Sequence, residues 1–120
     1  MAKKTPLARM KNKCVSLAIK LYVEDVQGCE LCGKPATTAH HFIHQSQSNY
    51  LRCDKRNLVA ICTKCHYKLH KYNEAEYGVC IRNRRGEEWF TDLMFDRHKR
   101  IKDTIGYWKL LWAKMMNEGI

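Results

Sequence analysis

No apolar run in this 120-residue chain approaches the roughly 20 residues of a membrane span. The opening stretch, MAKKTPLARMKNK, lacks the apolar core of a secretory signal, so a cytoplasmic, reducing location is expected. Internal repeats and low-complexity segments are missing too. Negative charge is scarce, with 12 Asp+Glu against 22 Lys+Arg and a formal net charge of +10. The shortage is one-sided. Residues 1–71 hold 13 basic and 4 acidic side chains, whereas residues 72–120 hold 9 and 8. A basic excess confined to one half favours a polyanionic partner, and nucleic acid fits it best. No basic stretch is paired with a strongly apolar anchoring face, so a membrane surface is the weaker option and no membrane partner is expected.

Cysteine and histidine are plentiful. Four of the seven cysteines and five of the six histidines lie in two stretches, CELCGKPATTAHHFIH (residues 29–44) and CTKCHYKLH (residues 62–70). An odd cysteine count with two C-x-x-C pairs is the pattern of metal-ligating thiolates in a reduced protein, not of secreted disulfides. At this length one domain with one modest core is expected, and a metal staple would help hold it together.

The elements follow from periodicity. Leu7, Met10, Cys14, Leu17 and Leu21 recur at three- and four-residue steps, predicting an amphipathic helix from Leu7 to about Val26 that Gly28 stops. Cys14 on that stripe reads as a buried core thiol. The β-branched and aromatic run at residues 37–43 predicts a strand, residues 44–56 a polar loop, and residues 57–61 a second strand. Thr63 is the expected N-cap of a helix from Lys64 to about Tyr72. Beyond it, YGVCIRNRRGEEWF predicts a short extended segment and a turn at Gly86, with Glu87 and Glu88 opening a helix. Ile101, Ile105, Trp108, Leu111, Trp112 and Met115 mark a final helix whose apolar stripe suits either core packing or a two-fold homodimer. The expected organisation is a single domain over 1–120: a basic tail at 1–6, an N-terminal helix at 7–27, a zinc-stapled core at 28–73 and a helical extension at 74–120. The fold class is α+β.

Zn²⁺ takes four ligands tetrahedrally, and thiolates fill structural sites well. Cys29, Cys32, Cys62 and Cys65 make such a set. Structural zinc contributes on the order of 10–16 kcal/mol in small modules, against a few kcal/mol to close a ~30-residue loop. A Cys₂His₂ site from Cys29, Cys32, His66 and His70 is the alternative. Its pairs would be far more widely separated than the about 12 residues of that finger, and it would strand Cys62 and Cys65. His66 and His70 are one helical turn apart and can grip one ion, while Cys65 points about 100° away from His66. His40 and His41 are neighbours on a strand and face opposite ways, so one can ligate while the other serves as a base.

AHHFI, DKRNLVAIC and CTKCHYKLH together resemble the HNH, or ββα-metal, nuclease family over about residues 29–70. The His-His, Asn, His-x₃-His pattern is similar to colicin-type DNases, and the C-x-x-C pairs to zinc-stapled phage recombination endonucleases. The resemblance implies a ββα-metal core with structural Zn²⁺, flanked by N- and C-terminal helices. It implies that His41 is the general base for hydrolysis of DNA phosphodiesters, leaving 5′-phosphate and 3′-hydroxyl ends. It implies that His40, His66 and His70 hold a catalytic divalent ion: Mg²⁺, Mn²⁺, Ni²⁺ or Zn²⁺. Asn57 would hold the first-strand loop and so orient His41. Arg52, Lys55, Arg56, Lys64, Lys68 and Lys71 crowd the same unit and suit DNA phosphates, and Arg56 is a candidate for stabilising the pentavalent phosphate. The implied setting is phage or prophage recombination, branched-DNA processing or packaging. A zinc-stapled DNA-binding module without cleavage is the second reading, and an adaptor using the Trp-rich helices the third. His44 reads as a loop residue; Cys53 and Cys80 take no role.

Overall fold

The computed structural model describes residues 4–71 and 74–120; the side chains of His70 and Lys71 lie outside the described residues, as does the expected helix end at Tyr72. The expected α+β class is borne out: five helices and one two-stranded antiparallel sheet. Helix α1 spans Pro6–Val26. It starts one residue inside the expected tail because Thr5 caps it, its hydroxyl accepting the Ala8 amide at 3.1 Å, and Pro6 suits the first turn. Gln27, not Gly28, terminates it, in the left-handed region at φ 67° with its amide donating to the Val23 carbonyl.

Strands β1 (Thr38–His41) and β2 (Leu58–Ile61) pair with Thr38 opposite Ile61 and His41 opposite Leu58. Both are shorter than expected. Asn57 closes a 3₁₀ turn, Lys55–Asn57, capped by the Asp54 carboxylate. Every residue of β2 is buried because the sheet is covered on both faces. On one face Ala39, Leu58 and Ala60 meet Cys14, Ala18 and Tyr22 of α1 and Trp108 and Met115 of α5 (Ile105–Glu118). The whole predicted α1 stripe joins this core, and the Cys14 thiol lies 3.1 Å from the Trp108 carbonyl. On the other face Val59 and Ile61 meet Cys29, Cys62, Leu69 of α2 (Thr63–Lys71), and Tyr77 and Ile81 of α3 (Glu74–Arg85). A third cluster of Ile43, Leu51 and Leu93 seats α4 (Glu87–Asp96) beneath the loop after β1.

Three expectations need correcting. The segment read as extended around residues 77–85 is helix α3, its buried Tyr77 and Ile81 spaced four apart. Its ends suit the dipole, with Glu74 and Glu76 in the first turn and Arg82, Arg84 and Arg85 in the last. The turn at Gly86 is present, at φ 95°, where a side chain would be strained. Helix α5 starts at Ile105, capped by Thr104, so Ile101 lies outside it, clamped by two hydrogen bonds to the Asn49 amide. Thr63 is inside α2, not its cap; the Cys62 sulfur accepts the Cys65 amide at 3.4 Å in that role.

Arg85 fastens α3 to the outer edge of β2. Its guanidinium donates to Glu30 at 2.7 Å, to the Leu58 carbonyl at 2.8 Å, and to the Tyr22 hydroxyl and Arg56 carbonyl at 2.9 Å each. Glu30 in turn accepts the Ala60 amide at 2.6 Å and the Tyr22 hydroxyl at 3.0 Å. The edge groups of β2 that lack a neighbouring strand are thereby satisfied.

Candidate metal centre and active site

The first cysteine pair sits in a tight turn after α1. Cys29 donates its amide to the Lys34 carbonyl at 2.6 Å, and Gly33, at φ 81°, returns an amide to the Cys29 carbonyl at 2.8 Å. The Glu30 amide bonds the Ala60 carbonyl at 2.8 Å, fixing this turn beside β2. The second pair comes from the end of β2 and the first turn of α2. The four sulfurs of Cys29, Cys32, Cys62 and Cys65 lie within 4.8 Å of one another. Cys32 and Cys62 approach to 3.6 Å. Tetrahedral Zn²⁺ with ~2.3 Å Zn–S bonds separates its sulfurs by about 3.8 Å, so the donor set could hold the ion. The Cys62 thiol is pulled down to about 6, chiefly by the Cys65 backbone amide at the helix N-terminus. Burial pushes the neighbouring Cys65 thiol the other way, up to about 12, so the fit to a cation rests on the placement of the four sulfurs.

The register separates the two strand histidines. His41 is buried on the α1/α5 side, and His40, half-buried, faces α2 and α3. The His40 ring lies 6.2 Å from His66 and 6.1 Å from His44 between centroids. His44 also bonds Glu74 at 2.7 Å. The described rings of His40, His44 and His66 are thus neighbours, but among the described residues the ligand atoms that converge closely enough for one ion are those of the four cysteines. His70 is one turn beyond His66 on α2, its side chain outside the described residues.

His41 Nε2 lies 2.7 Å from the Arg52 carbonyl. A carbonyl only accepts, so Nε2 carries the proton and Nδ1 keeps its lone pair. Burial holds the imidazole below its ordinary 6.5, only partly offset by that hydrogen bond, and the positive charges of Arg52 and His44 push the same way as burial. Asn57 is almost fully buried. Its amide nitrogen donates to the carbonyls of Ile43 (2.9 Å) and Leu51 (3.2 Å), and its oxygen accepts the Ile43 amide at 2.6 Å. One side chain therefore pins both ends of the loop that contains the His44 turn.

Among the basic residues singled out from the sequence, Lys55, Lys64 and Lys68 are exposed and Arg52 and Arg56 half-buried. Arg56 is held by Asp54 and Asp96, each at 2.8 Å, which raises its already high pKa, the Asp54 bonds contributing most. Arg52 reaches the Gln45 carbonyl at 3.3 Å and stacks over Trp108. Sequence reasoning missed two contributors from α3. Tyr77 stands edge-on to His40 at 5.4 Å, and Glu74 holds His44. The signal available was the four-residue step from Tyr77 to Ile81 to Arg85, interrupted visually by Gly78.

Over 51 residues the chain is 35% identical to the mitochondrial DNA mismatch repair protein mutS homolog of Sarcophyton glaucum, an alignment covering 38% of this chain and 5% of that protein. The chain therefore spans about one-twentieth of that relative's length. No solved structure matches it. No helix among the described residues is long and apolar enough to cross a membrane. The site residues singled out above from the two Cys/His stretches and the strands between them fall within residues 29–72, and that segment matches the family model of the HNH endonuclease, which points to a nuclease or DNA-binding role.

Proposed function

We propose that the chain is a metal-dependent DNA endonuclease whose fold is stapled by one zinc ion on Cys29, Cys32, Cys62 and Cys65. The observation that carries this reading is the His41 hydrogen bond to the Arg52 carbonyl, which leaves Nδ1 as a free base. A protein that only binds DNA needs no buried imidazole kept neutral in this way. His40 and His66, joined by His70, hold the divalent ion. That ion, when bound, supplies Lewis-acid stabilisation of the phosphate and the leaving oxygen.

The remaining work belongs to the chain's own residues. His41 Nδ1 takes a proton from water as the water oxygen attacks phosphorus. The P–O3′ bond breaks, the 3′-oxygen is protonated from solvent, and the 5′-phosphate stays on the other strand end. Asn57 keeps the 43–51 loop closed, so the Arg52 carbonyl stays in place and the imidazole cannot rotate. Tyr77 packs edge-on against His40 and limits its rotation. Lys55, Lys64, Lys68 and Lys71 contact DNA phosphates; Arg56 joins them only by sharing its charge with Asp54 and Asp96. A phage or prophage setting, with branched DNA as a substrate, is the reading that the resemblance of the two C-x-x-C pairs to phage recombination endonucleases supports.

The test compares the wild-type chain with His41→Ala on supercoiled and four-way-junction DNA, with Mg²⁺, Mn²⁺, Ni²⁺ and Zn²⁺ in turn. Loss of a positioned general base lowers the rate by about 10²–10⁴-fold, while the variant keeps one zinc per chain. Equal cleavage by both proteins refutes the base assignment. Absence of cleavage by the wild type with every ion and substrate returns the protein to the DNA-binding reading.

A further inference from the structure

The N-terminal half of α1 and the outer side of α5 enclose a second basic feature, away from the zinc and histidine clusters. A cavity of about 500 Å³ is lined by Lys4, Arg9, Asn12, Lys13, Ser16 and Trp112. It contains three cations and no carboxylate. Helix α1 has no acidic residue before Glu24, and its first turn has none to offset the positive end of its dipole. Among the described residues, Lys4, Arg9 and Lys13 have no carboxylate partner, whereas the neighbouring Lys11 is held by Asp103. The one large apolar surface in the cavity is the Trp112 indole, with the Lys13 ammonium 5.1 Å from its centroid.

Trp108, buried beneath the cavity and bonded to Asp103, packs between the candidate active site and α1. The Arg52 carbonyl holds His41, and the Arg52 guanidinium lies 5.8 Å over the Trp108 ring. Lys11 lies 5.9 Å over that same ring. Trp112 is one helical turn further along α5.

We propose that this groove binds single-stranded DNA, one base stacking on Trp112 while Arg9, Lys13 and Lys4 hold the flanking phosphates. Basic grooves floored by an aromatic ring are the recurrent solution for single strands, because every base offers a π-face whatever its sequence. A base that stacks on the half-exposed Trp112 ring must be unpaired, whereas a duplex keeps its bases paired. An acidic peptide would satisfy the cations but leave the indole unused. The base displaces the exposed Lys13 ammonium from the ring, and that ammonium moves to a phosphate. This inference rests on the nuclease reading for its biological sense, but it is measured without cleavage.

The experiment uses the zinc-loaded full chain carrying His41→Ala, so that binding is read alone, with fluorescein-labelled oligothymidine and a labelled duplex hairpin in anisotropy titrations. Trp112→Ala should weaken oligothymidine binding by about five- to tenfold or more, the effect expected for one stacked base. Trp112→Phe should recover most of it, and the hairpin should respond far less to either. Arg9→Glu with Lys13→Glu should weaken both ligands and flatten the salt dependence. Thermal melts show whether each variant is folded, and the Trp112→Phe comparison stands even if the alanine variant is not. Unchanged oligothymidine binding in Trp112→Ala overturns the proposal. So does an equal loss for hairpin and oligothymidine, or displacement of oligothymidine from the groove by polyglutamate at matching charge concentration. If oligothymidine binding depends on Trp112 but wild type cleaves nothing with any ion, the groove stands and the nuclease reading fails. If wild type cleaves but Trp112 is irrelevant to binding, the reverse holds.

Discussion

Replacing Arg85 with methionine tests what holds the helical extension to the nuclease-like core. The side chain is 16% exposed and its partner Glu30 21% exposed, so solvent screens the pair weakly. Methionine keeps the packing volume and removes donors to Glu30, Tyr22 and the carbonyls of Leu58 and Arg56. Breaking a buried pair by removing one partner typically costs about 3–5 kcal/mol. Glu30 is not left bare, however, because it still accepts the Ala60 amide and the Tyr22 hydroxyl. Burial holds that hydroxyl protonated by raising Tyr22 to about 12. The lower part of the range therefore applies, about 3 kcal/mol, a substantial share of the roughly 5–15 kcal/mol of a typical domain. Urea unfolding followed by far-ultraviolet circular dichroism, with zinc in excess throughout, reads the loss. Glu30→Gln and the double variant complete a cycle, and coupling above about 0.5 kcal/mol is expected for residues in one network. A loss below about 1 kcal/mol, or additive single effects, would refute the claim that this network anchors α3 to the sheet edge.

Cys62→Ser removes a sulfur of the zinc set while leaving a hydroxyl able to cap α2; the variant should bind no stoichiometric zinc and lose cooperative unfolding, checked by metal analysis and thermal melts. His70→Ala should lower cleavage at least tenfold while keeping one zinc per chain, and release of that zinc would show that the thiolate and imidazole sites are not separate. The pH profile of cleavage should have its acid limb below 6.5, because burial depresses His41 and the base works only when unprotonated. Stability carries the same sign: as pH falls past 6.5 the unfolded chain binds a proton that the folded site resists, so stability declines on the acid side. An acid limb above 6.5 would mean that His41 is not the titrating base.

The four-cysteine set was readable because ligand geometry is local. Two residues between thiols and the alternation that puts His40 and His41 on opposite faces of β1 are set by backbone periods of 3.6 and 2. Helix α3 was not readable for the complementary reason. Gly78 disfavours a helix by roughly 1 kcal/mol relative to alanine, and the gain that outweighs it lies elsewhere: Tyr77 against His40, and Arg85 against Glu30 across 55 residues of sequence. The Cys62 cap was hidden by the same kind of substitution, since a sulfur filled the place where a hydroxyl was sought.

These misses share a position as well as a cause. Tyr77, Glu74 and Arg85 all belong to the half of the chain with nearly balanced charge, and all three act on groups supplied by the basic half: His40, His44 and the edge of β2. The strands supply the chemistry, because alternation puts His41 against one helical layer and His40 against the other. The layers supply the constraint. On one side α1 and α5 bury His41 next to Arg52, which lowers its pKa; on the other, α2 and α3 bring His66 and Tyr77 to the ring of His40, where the proposed cation would bind. A four-residue strand between two helical layers is thus enough to give adjacent histidines opposite electrostatic tasks, and the α3 side is where a substitution remote from every proposed ligand should alter metal affinity first.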